Sequence, residues 1–252
     1  MKYGKKQTGS GLGTLIGVGV GPGDPGLVTV KAIEVIRRAP TVAFPVHKTG
    51  AASRAFETVA AHVRPGTRLL PLLMPMTRDK TRLRQAHASA VESITAAAAN
   101  GSDVAYLSIG DPLFYSTFGY LAEMFDGPAE VVSGVTAASA TAAALGLPLA
   151  AGDTPTVVVT GKAHEALAAA LQMGASVIII KPRSLGRESL DLLDRTGAWE
   201  RAAAAIELGG PGQRVIEELN REKAADLPYF AVLWIRPPGN SANHRAPEER
   251  SD

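Results

Sequence analysis

The sequence predicts an α/β protein made of two successive sets of strands and helices. Short apolar runs of strand length alternate with longer amphipathic or alanine-rich segments along the whole chain. The 252 residues are enough for two sets of ordinary domain size. The alternation restarts after Asp126-Gly127-Pro128, a turn sequence typical of a linker. We therefore predict two open sheets with helices on both faces.

The first set alternates four strands with four helices. The predicted strands are 14–20, 41–44, 68–73 and 103–109, and the predicted helices are 27–38, 53–62, 80–99 and 116–125. Each strand is a short apolar run, and the first helix carries apolar residues at helical spacing. Pro45 ends the second strand, Arg64-Pro65-Gly66 breaks the second helix, and Asn100-Gly101 ends the third.

The second set continues the alternation to residue 235. Its predicted strands are 130–132, 156–159, 176–180, 202–208 and 230–235, and its predicted helices are 135–144, 163–173, 185–196 and 213–218. The sequence leaves open whether the last strands run antiparallel. The basic start and the polar, proline-rich end of the chain read as flexible tails. The predicted divisions are a tail at 1–12, domains at 13–127 and 128–236, and a tail at 237–252.

Composition excludes several classes of function. The net charge of +2 indicates no particular partner, and the absence of cysteine excludes disulfides, thiolate metal sites and cysteine nucleophiles. The five histidines show no metal-ligand spacing, so no metal is expected. Aromatic residues make up 5% of the chain and do not alternate with basic ones, which argues against a nucleic-acid surface. No apolar run approaches the roughly 20 residues that span a bilayer, and we expect a cytoplasmic protein.

A glycine-rich loop, GVGVGPGDP at residues 17–25, follows the first strand. In a dinucleotide-binding loop, the third glycine would fall on Pro22 or Asp24, depending on which glycine starts the count. Proline has no N–H for a phosphate, and a carboxylate would repel one. The alternatives at this point are a nucleotide-dependent oxidoreductase and a tight turn that only needs glycine.

Two further strands end in conspicuous turns. Gly110-Asp111-Pro112 follows the fourth strand, and Ser133-Gly134 precedes a helix of small residues. Asp111 could bind a ligand's hydroxyl or amine, or could simply cap the turn. The small residues after Ser133 could admit a ligand or let helices pack closely. Because ligands of open α/β sheets bind beyond the carboxyl ends of strands, the three turns form the candidate site.

A basic stretch begins the third helix. Residues 78–84 carry four basic side chains and one acidic one. Such a run is either the solvated start of a helix or a cationic rim that attracts a substrate with several carboxylates. Lys48 and Arg54, which follow the second strand, could extend that rim.

Taken together, the three strand-end motifs resemble those of the tetrapyrrole methylases. The matching stretches are GVGVGPGDPGLVTVKAIEVIRRA, SIGDPLFYSTFGYL and VVSGVTAASATAAALGLPLA, and the resemblance covers about residues 13–236. It implies two α/β domains with S-adenosylmethionine folded in the cleft between them, and a homodimer. It also implies a methyltransferase acting on a tetrapyrrole in corrin or sirohaem synthesis.

The resemblance also implies site residues. The cofactor contacts that it implies are Pro22, Ile109, Gly110, Asp111, Phe114, Ser116, Thr117, Thr136, Ala137, Lys181 and Gly209. Lys181-Pro182 departs from the small or sulfur-containing residues that relatives carry there. Because the substrate bears many carboxylates, the expected substrate contacts are Gly21, Lys48, Arg54, Arg78 and Arg82, with Lys80 beside them. The glycines of the first loop are expected to keep side chains clear of the cofactor and the macrocycle.

Three stretches resemble one branch of this family, which methylates C20 of precorrin-2 or its cobalt form in cobalamin synthesis. They are VAFPVHKTGAASRAFETVA, LLMPMTRDKTRLRQAHASA and GDPLFYSTFGYL. Sirohaem-type relatives carry an acidic residue after the second strand as a proposed base, but Pro45 stands there in this chain. No catalytic acid or base is therefore assigned. Methylation at another corrin position stays an alternative, as does a relative that binds the cofactor without turnover.

Overall fold

The computed structural model describes residues 11–77 and 79–239. They form two compact units that divide between Ala137 and Ala138. Each unit has its own five-stranded sheet, so the predicted α/β class with two sheets is confirmed. Arg78 and most of both predicted tails (residues 1–10 and 240–252) lie outside the described residues.

The first unit has a fully parallel sheet. Its strands are β1 (Leu15–Gly19), β2 (Thr41–Val46), β3 (Arg68–Leu73), β4 (Val104–Ser108) and β5 (Ala129–Val132), and its helices are α1 (Val30–Arg38), α2 (Arg54–Val59), α3 (Lys80–Ala97) and α4 (Phe118–Met124). The strand order is β3-β2-β4-β1-β5, with every pair parallel. All five carboxyl ends therefore lie at one edge.

Successive side chains of each strand point to opposite faces of the sheet, so the core of this unit has two parts, one on each face. Ile16 and Val18 pack with α1 and α2 on one face. Leu15 and Tyr106 pack with α3 and α4 on the other. β1 is buried throughout, as expected for a central parallel strand covered on both sides.

The second unit has a mixed sheet. Its strands are β6 (Thr156–Thr160), β7 (Ser176–Ile180), β8 (Ala202–Ile206), β9 (Arg214–Ile216) and β10 (Ala231–Ile235), and the helices of this half of the chain are α5 (Ala137–Leu145), α6 (His164–Gln172), α7 (Arg187–Arg195) and α8 (Arg221–Ala225). The order is β6-β7-β10-β8-β9. β6 and β7 are parallel, whereas β10 runs antiparallel to both β7 and β8. The direction of the last strands, which the sequence left open, is thereby settled as antiparallel.

A buried indole ties the second sheet to the segment that follows α5. Trp234 is 2% exposed, and its Nε1–H donates to Ser176 Oγ at 2.8 Å. Ser176 Oγ in turn donates to the carbonyl of Leu149 at 3.2 Å. The indole N–H, which would be costly to bury unpaired, is thus satisfied inside the sheet.

Three details differ from the sequence prediction. The division lies after Ala137 rather than after Gly127, because β5 pairs with β1 and completes the first sheet. The predicted helix at 213–218 is wrong, since residues 214–216 form β9 against β8. The glycine-rich turn before Gln213 folds the chain back into a hairpin, and β-branched Val215 and Ile216 suit a strand. The short helix α8 was not predicted.

Candidate functional site

The candidate site lies at a topological switch point of the first sheet. β1 and β4 are neighbours, but the chain leaves β1 through α1 toward β2 and leaves β4 through α4 toward β5. α1 and α4 cover opposite faces of the sheet. The connections therefore diverge and leave a crevice outside the carboxyl ends of β1 and β4, where open α/β sheets bind ligands.

The loops that follow β1 and β4 are joined across this crevice. Gly21 and Gly110 form an isolated antiparallel bridge. The N–H of Gly110 donates to the carbonyl of Gly21 at 2.7 Å, and the N–H of Gly21 donates to the carbonyl of Gly110 at 3.3 Å. Both glycines have φ of +73°, a backbone region that glycine adopts without strain.

The loop that follows β5 packs against both of the others. A Cβ on Gly19 would lie 2.5 Å from the nitrogen of Gly134 and 2.8 Å from the carbonyl oxygen of Gly110. A Cβ on Gly134 would collide with the same carbonyl oxygen. Three backbones therefore approach as closely as glycine permits, and the three motifs form one surface.

Asp111 ties the second motif to the third. One carboxylate oxygen accepts the N–H of Leu113 at 2.8 Å and so caps the turn. The other accepts the N–H of Gly134 at 3.0 Å. Of the two alternatives for Asp111, the structure shows the cap, and it adds a link between loops that local sequence did not indicate.

The rest of the second motif is held by a hydroxyl pair. Ser108 Oγ and Ser116 Oγ lie 2.7 Å apart, and Ser116 Oγ also accepts the N–H of Phe118 at 3.2 Å. Tyr115, between them in sequence, has φ of +54°, a conformation that costs a tyrosine about 1–2 kcal/mol. Such strain persists where the surroundings fix the backbone, and it is concentrated at functional sites.

The structure gathers nine of the predicted cofactor residues around these loops. Pro22 is buried directly after the glycine bridge, and Ile109, Phe114, Thr117 and Thr136 are half-buried. Ala137, also in the third motif, is the first residue of α5. Gly110 has no heavy atom within 4 Å of the position that a Cβ would take, so open space lies above its backbone.

One interpretation of the first loop needs correction. Gly17 and Gly19 do not keep side chains clear of a ligand, because each makes room for another part of the protein. A Cβ on Gly17 would lie 2.7 Å from the ring of Phe118 in α4. Gly19 accommodates Gly134 as described, and Gly21 lies against the carbonyl of Leu27.

The other two predicted cofactor residues, Lys181 and Gly209, belong to the second unit. Lys181 directly follows β7, and Gly209 lies in the turn after β8. β7 and β8 run in the same direction, because β10 is antiparallel to both. The two residues therefore lie at the same edge of the second sheet. The predicted placement of the cofactor between the two units stays a prediction.

The predicted basic rim lies partly at the edge of the first sheet that carries the motifs. Lys48 follows β2, Arg54 begins α2, and Arg82 lies in the first turn of α3, which follows β3. Lys48 and Arg82 are exposed and Arg54 is half-buried. Lys80 is exposed beside Arg82. Arg78 lies outside the described residues, so its placement stays a prediction.

Sequence reasoning missed two contributors to the site. Ser108 is a buried strand residue, and in the sequence nothing distinguishes it from a residue of the core. Only its contact with Ser116 links it to the site. Gly19 was interpreted as part of a phosphate loop or a tight turn, although its spacing of two from Gly17 already indicated that one face of β1 packs too closely for side chains.

A family model of the tetrapyrrole (corrin/porphyrin) methylases matches residues 14–224. The chain belongs to this family. The resemblance inferred from the three motifs is thereby confirmed, and the matched range includes all three together with both predicted positions in the second unit.

Relatives within the family cover nearly the whole chain. A precorrin-2 C(20)-methyltransferase from a Sinorhizobium species is 33% identical over 244 residues, which are 91% of this chain and 97% of that protein. A probable cobalt-precorrin-2 C(20)-methyltransferase from Methanocaldococcus jannaschii is 35% identical over 225 residues, which are 86% of this chain and 94% of that protein.

Solved structures share the fold. A uroporphyrin-III C-methyltransferase from Thermus thermophilus, complexed with S-adenosylhomocysteine, matches with a TM-score of 0.62 at 21% identity. The match covers 89% of this chain and 97% of that one. Among residues 11–77 and 79–239, none of the helices is long and apolar enough to cross a membrane.

Proposed function

We propose that the protein transfers a methyl group from S-adenosylmethionine to C20 of precorrin-2, or of its cobalt form, in cobalamin biosynthesis. The observation that carries this proposal is the 33% identity to a precorrin-2 C(20)-methyltransferase over almost the full length of both chains. The relative from Methanocaldococcus jannaschii, with a similar identity, is described for the cobalt form. Both forms are therefore candidate substrates.

The residues present fit S-adenosylmethionine better than a dinucleotide. The loop after β1 offers buried Pro22, which has no N–H, where a pyrophosphate would need backbone amides. Asp111 already places a negative charge at the site. The space above Gly110 lets a ligand approach the backbone closely. A methyl donor without phosphates suits this surface.

The methyl donor supplies a methyl group bound to a cationic sulfur. The neutral thioether that remains after the transfer is a good leaving group. The protein has mainly to hold donor and acceptor in line. Asp111, the glycine bridge and the Ser108–Ser116 pair suit that task, because they fix three loops relative to one another. The acceptor carbon of precorrin-2 is electron-rich, which agrees with our assigning no catalytic base.

The basic residues at the same edge suit the substrate. Lys48, Arg54 and Arg82 follow β2 and β3 at the edge that carries the three motifs. Precorrin-2 carries carboxylates around a flat ring, and positive charge along this edge would attract and orient them. The resemblance also implies a homodimer, which we retain as part of the proposal.

Incubation with precorrin-2 or cobalt-precorrin-2 and [methyl-¹³C]S-adenosylmethionine tests the proposal. We expect one labelled methyl per product, located at C20 by NMR. Label at another carbon would show that the protein is a methyltransferase but that it methylates a position other than C20. Cofactor binding without turnover would indicate a non-catalytic relative, and saturable NADH binding would support the oxidoreductase alternative.

A further inference from the structure

The edge of the second sheet at which β6, β7 and β8 end carries two exposed lysines, Lys162 and Lys181. Among residues 11–77 and 79–239, neither has a carboxylate oxygen within 4.0 Å. Two adjacent cations without an acidic partner repel each other unless an anion binds between them. This edge is therefore suited to binding an anion.

The pairing of β6 with β7 brings the two lysines side by side. Thr160 is in register with Ile180 in this parallel pair, so the residues that follow the two strands are also neighbours. The N–H of Gly161 donates to the carbonyl of Ile180 at 3.2 Å. A Cβ on Gly161 would lie 2.9 Å from the carbonyl oxygen of Lys181. The peptide that leads into Lys162 thus lies directly against Lys181.

Lys181 is held in a strained conformation. Its φ is +53°, which costs a lysine about 1–2 kcal/mol relative to glycine. Pro182 follows it and fixes the next φ. The carbonyl of Lys181 accepts the N–H of Ser184 at 3.0 Å and its hydroxyl at 2.8 Å. A residue whose backbone is fixed in an unfavourable region is a candidate functional residue.

The electrostatics agree with this geometry. Desolvation around its ammonium group, and secondly the charge of Lys162, lower the pKa of Lys181. Both effects disfavour the charged lysine, and a carboxylate bound between the two ammonium groups would oppose them by attracting both positive charges. Of the two residues that follow each of β6, β7 and β8, only Glu207 has a carboxylate, and it lies against Gly212 in its own turn.

An aromatic pair lies at the same edge. Phe230 precedes β10, the strand between β7 and β8, and its carbonyl accepts the N–H of Glu207 at 2.8 Å. The rings of Tyr229 and Phe230 meet edge to face at 5.1 Å and are 42% and 41% exposed. This edge therefore offers apolar ring surface next to positive charge, as a flat carboxylated macrocycle requires.

We propose that Lys162 and Lys181 form a binding site for a carboxylate, and that this carboxylate belongs to the tetrapyrrole substrate. The assignment of the substrate rests on the proposed function. The family resemblance implied a cofactor contact at Lys181, and this proposal assigns that residue to the substrate instead. Because the cofactor's methionine carboxylate has the same chemistry, the experiment measures the two ligands separately.

The variants Lys162→Gln and Lys181→Gln each remove one charge and keep most of the side chain's length. We expect each to raise the KM for precorrin-2 about tenfold, the loss of one charge-assisted hydrogen bond, with kcat changed less than about twofold. The affinity for uroporphyrin III, a stable tetrapyrrole measured by fluorescence quenching, falls in parallel. Lys181→Arg restores most of the binding, and the Kd for S-adenosylmethionine measured by calorimetry is unchanged.

Arg195→Gln is the matched control. Arg195 is an exposed cation in the last turn of α7, at the opposite end of the second unit, so its loss changes net charge without touching this edge. If both lysine variants behave like Arg195→Gln while the wild type methylates C20, the carboxylate site is refuted and the proposed function stands. If the wild type leaves precorrin-2 unlabelled, the proposed function itself fails. A weaker affinity for S-adenosylmethionine with unchanged tetrapyrrole binding would overturn the assignment to the substrate.

Discussion

At the scale of single residues, Asp111 decides the relative position of two motifs. Its carboxylate accepts N–H groups from Leu113, two residues away, and from Gly134, 23 residues away. The first contact is the turn cap that the sequence suggested. The second could not be predicted, because nothing in a local pattern indicates which distant amide a carboxylate will reach. Variants that remove a contact of Asp111 therefore test its role better than its membership of a motif does.

We expect Asp111→Ala to lower the affinity for S-adenosylmethionine by about tenfold or more, because the loop that follows β5 loses its link to the loop that follows β4. Asp111→Asn keeps one acceptor and should lie between alanine and wild type. Calorimetric titration measures both. An affinity unchanged in Asp111→Ala would remove this residue from the cofactor site.

Substitution of Gly110 can separate the effect of backbone strain from the effect of blocking a ligand's approach. Gly110 and Gly66 both have positive φ, +73° and +84°, and neither has a heavy atom within 4 Å of the position that a Cβ would take. Gly66 precedes β3 and so lies at the opposite edge of the same sheet. Alanine at either position should cost about 1–2 kcal/mol of unfolding free energy. Only Gly110→Ala should also weaken cofactor binding.

Urea unfolding and calorimetry on the two alanine variants check this expectation. The two losses of stability should be similar, because the backbone cost is the same in kind. If Gly66→Ala weakens cofactor binding as much as Gly110→Ala does, the effect comes from general destabilisation. The open space above Gly110 would then have no part in binding.

At the scale of elements, the packing of β1 against α4 depends on Gly17. A Cβ there would lie 2.7 Å from the ring of Phe118, which is 0% exposed. We expect Gly17→Ala to destabilise the fold by about 1–3 kcal/mol through overpacking. Adding Phe118→Leu, which removes the ring, should recover part of that loss. Denaturant unfolding of both single variants and the double variant measures the coupling.

A purely additive double variant would mean that Gly17 is needed for some reason other than Phe118. The same contact shows where sequence reasoning about elements succeeded and where it failed. Period and apolar content found β1 and the helix now called α4, but not which glycine faces that helix. For β9, three strand residues were too few for any period to distinguish a strand from a helix.

At the scale of the whole molecule, the alternation of strands and helices was enough to predict two sheets. The boundary between the units could not be predicted in the same way. Gly127-Pro128 has the sequence of a linker, but the strand that follows it belongs to the first sheet. The order β3-β2-β4-β1-β5 was also beyond reach, since it depends on long-range pairing. That order nevertheless creates the crevice to which all three motifs lead.

The same order places positive charge along one edge, and this makes an electrostatic prediction for the whole molecule. We expect Arg82→Glu to raise the KM for precorrin-2 about three- to fivefold at low salt, since an exposed charge contributes up to about 1 kcal/mol. The effect should shrink as salt screens it. A glutamate in the first turn of α3 suits the helix dipole, so stability should not fall.

Arg64→Glu is the control for this electrostatic prediction, because Arg64 is exposed just before β3, at the opposite edge of the first sheet. It makes the same change in net charge. Steering by total charge alone would give both variants the same KM and the same dependence on salt, whereas a local rim gives a larger effect at Arg82. Equal effects would therefore show that the start of α3 is merely solvated, which is the alternative that the sequence left open for residues 78–84.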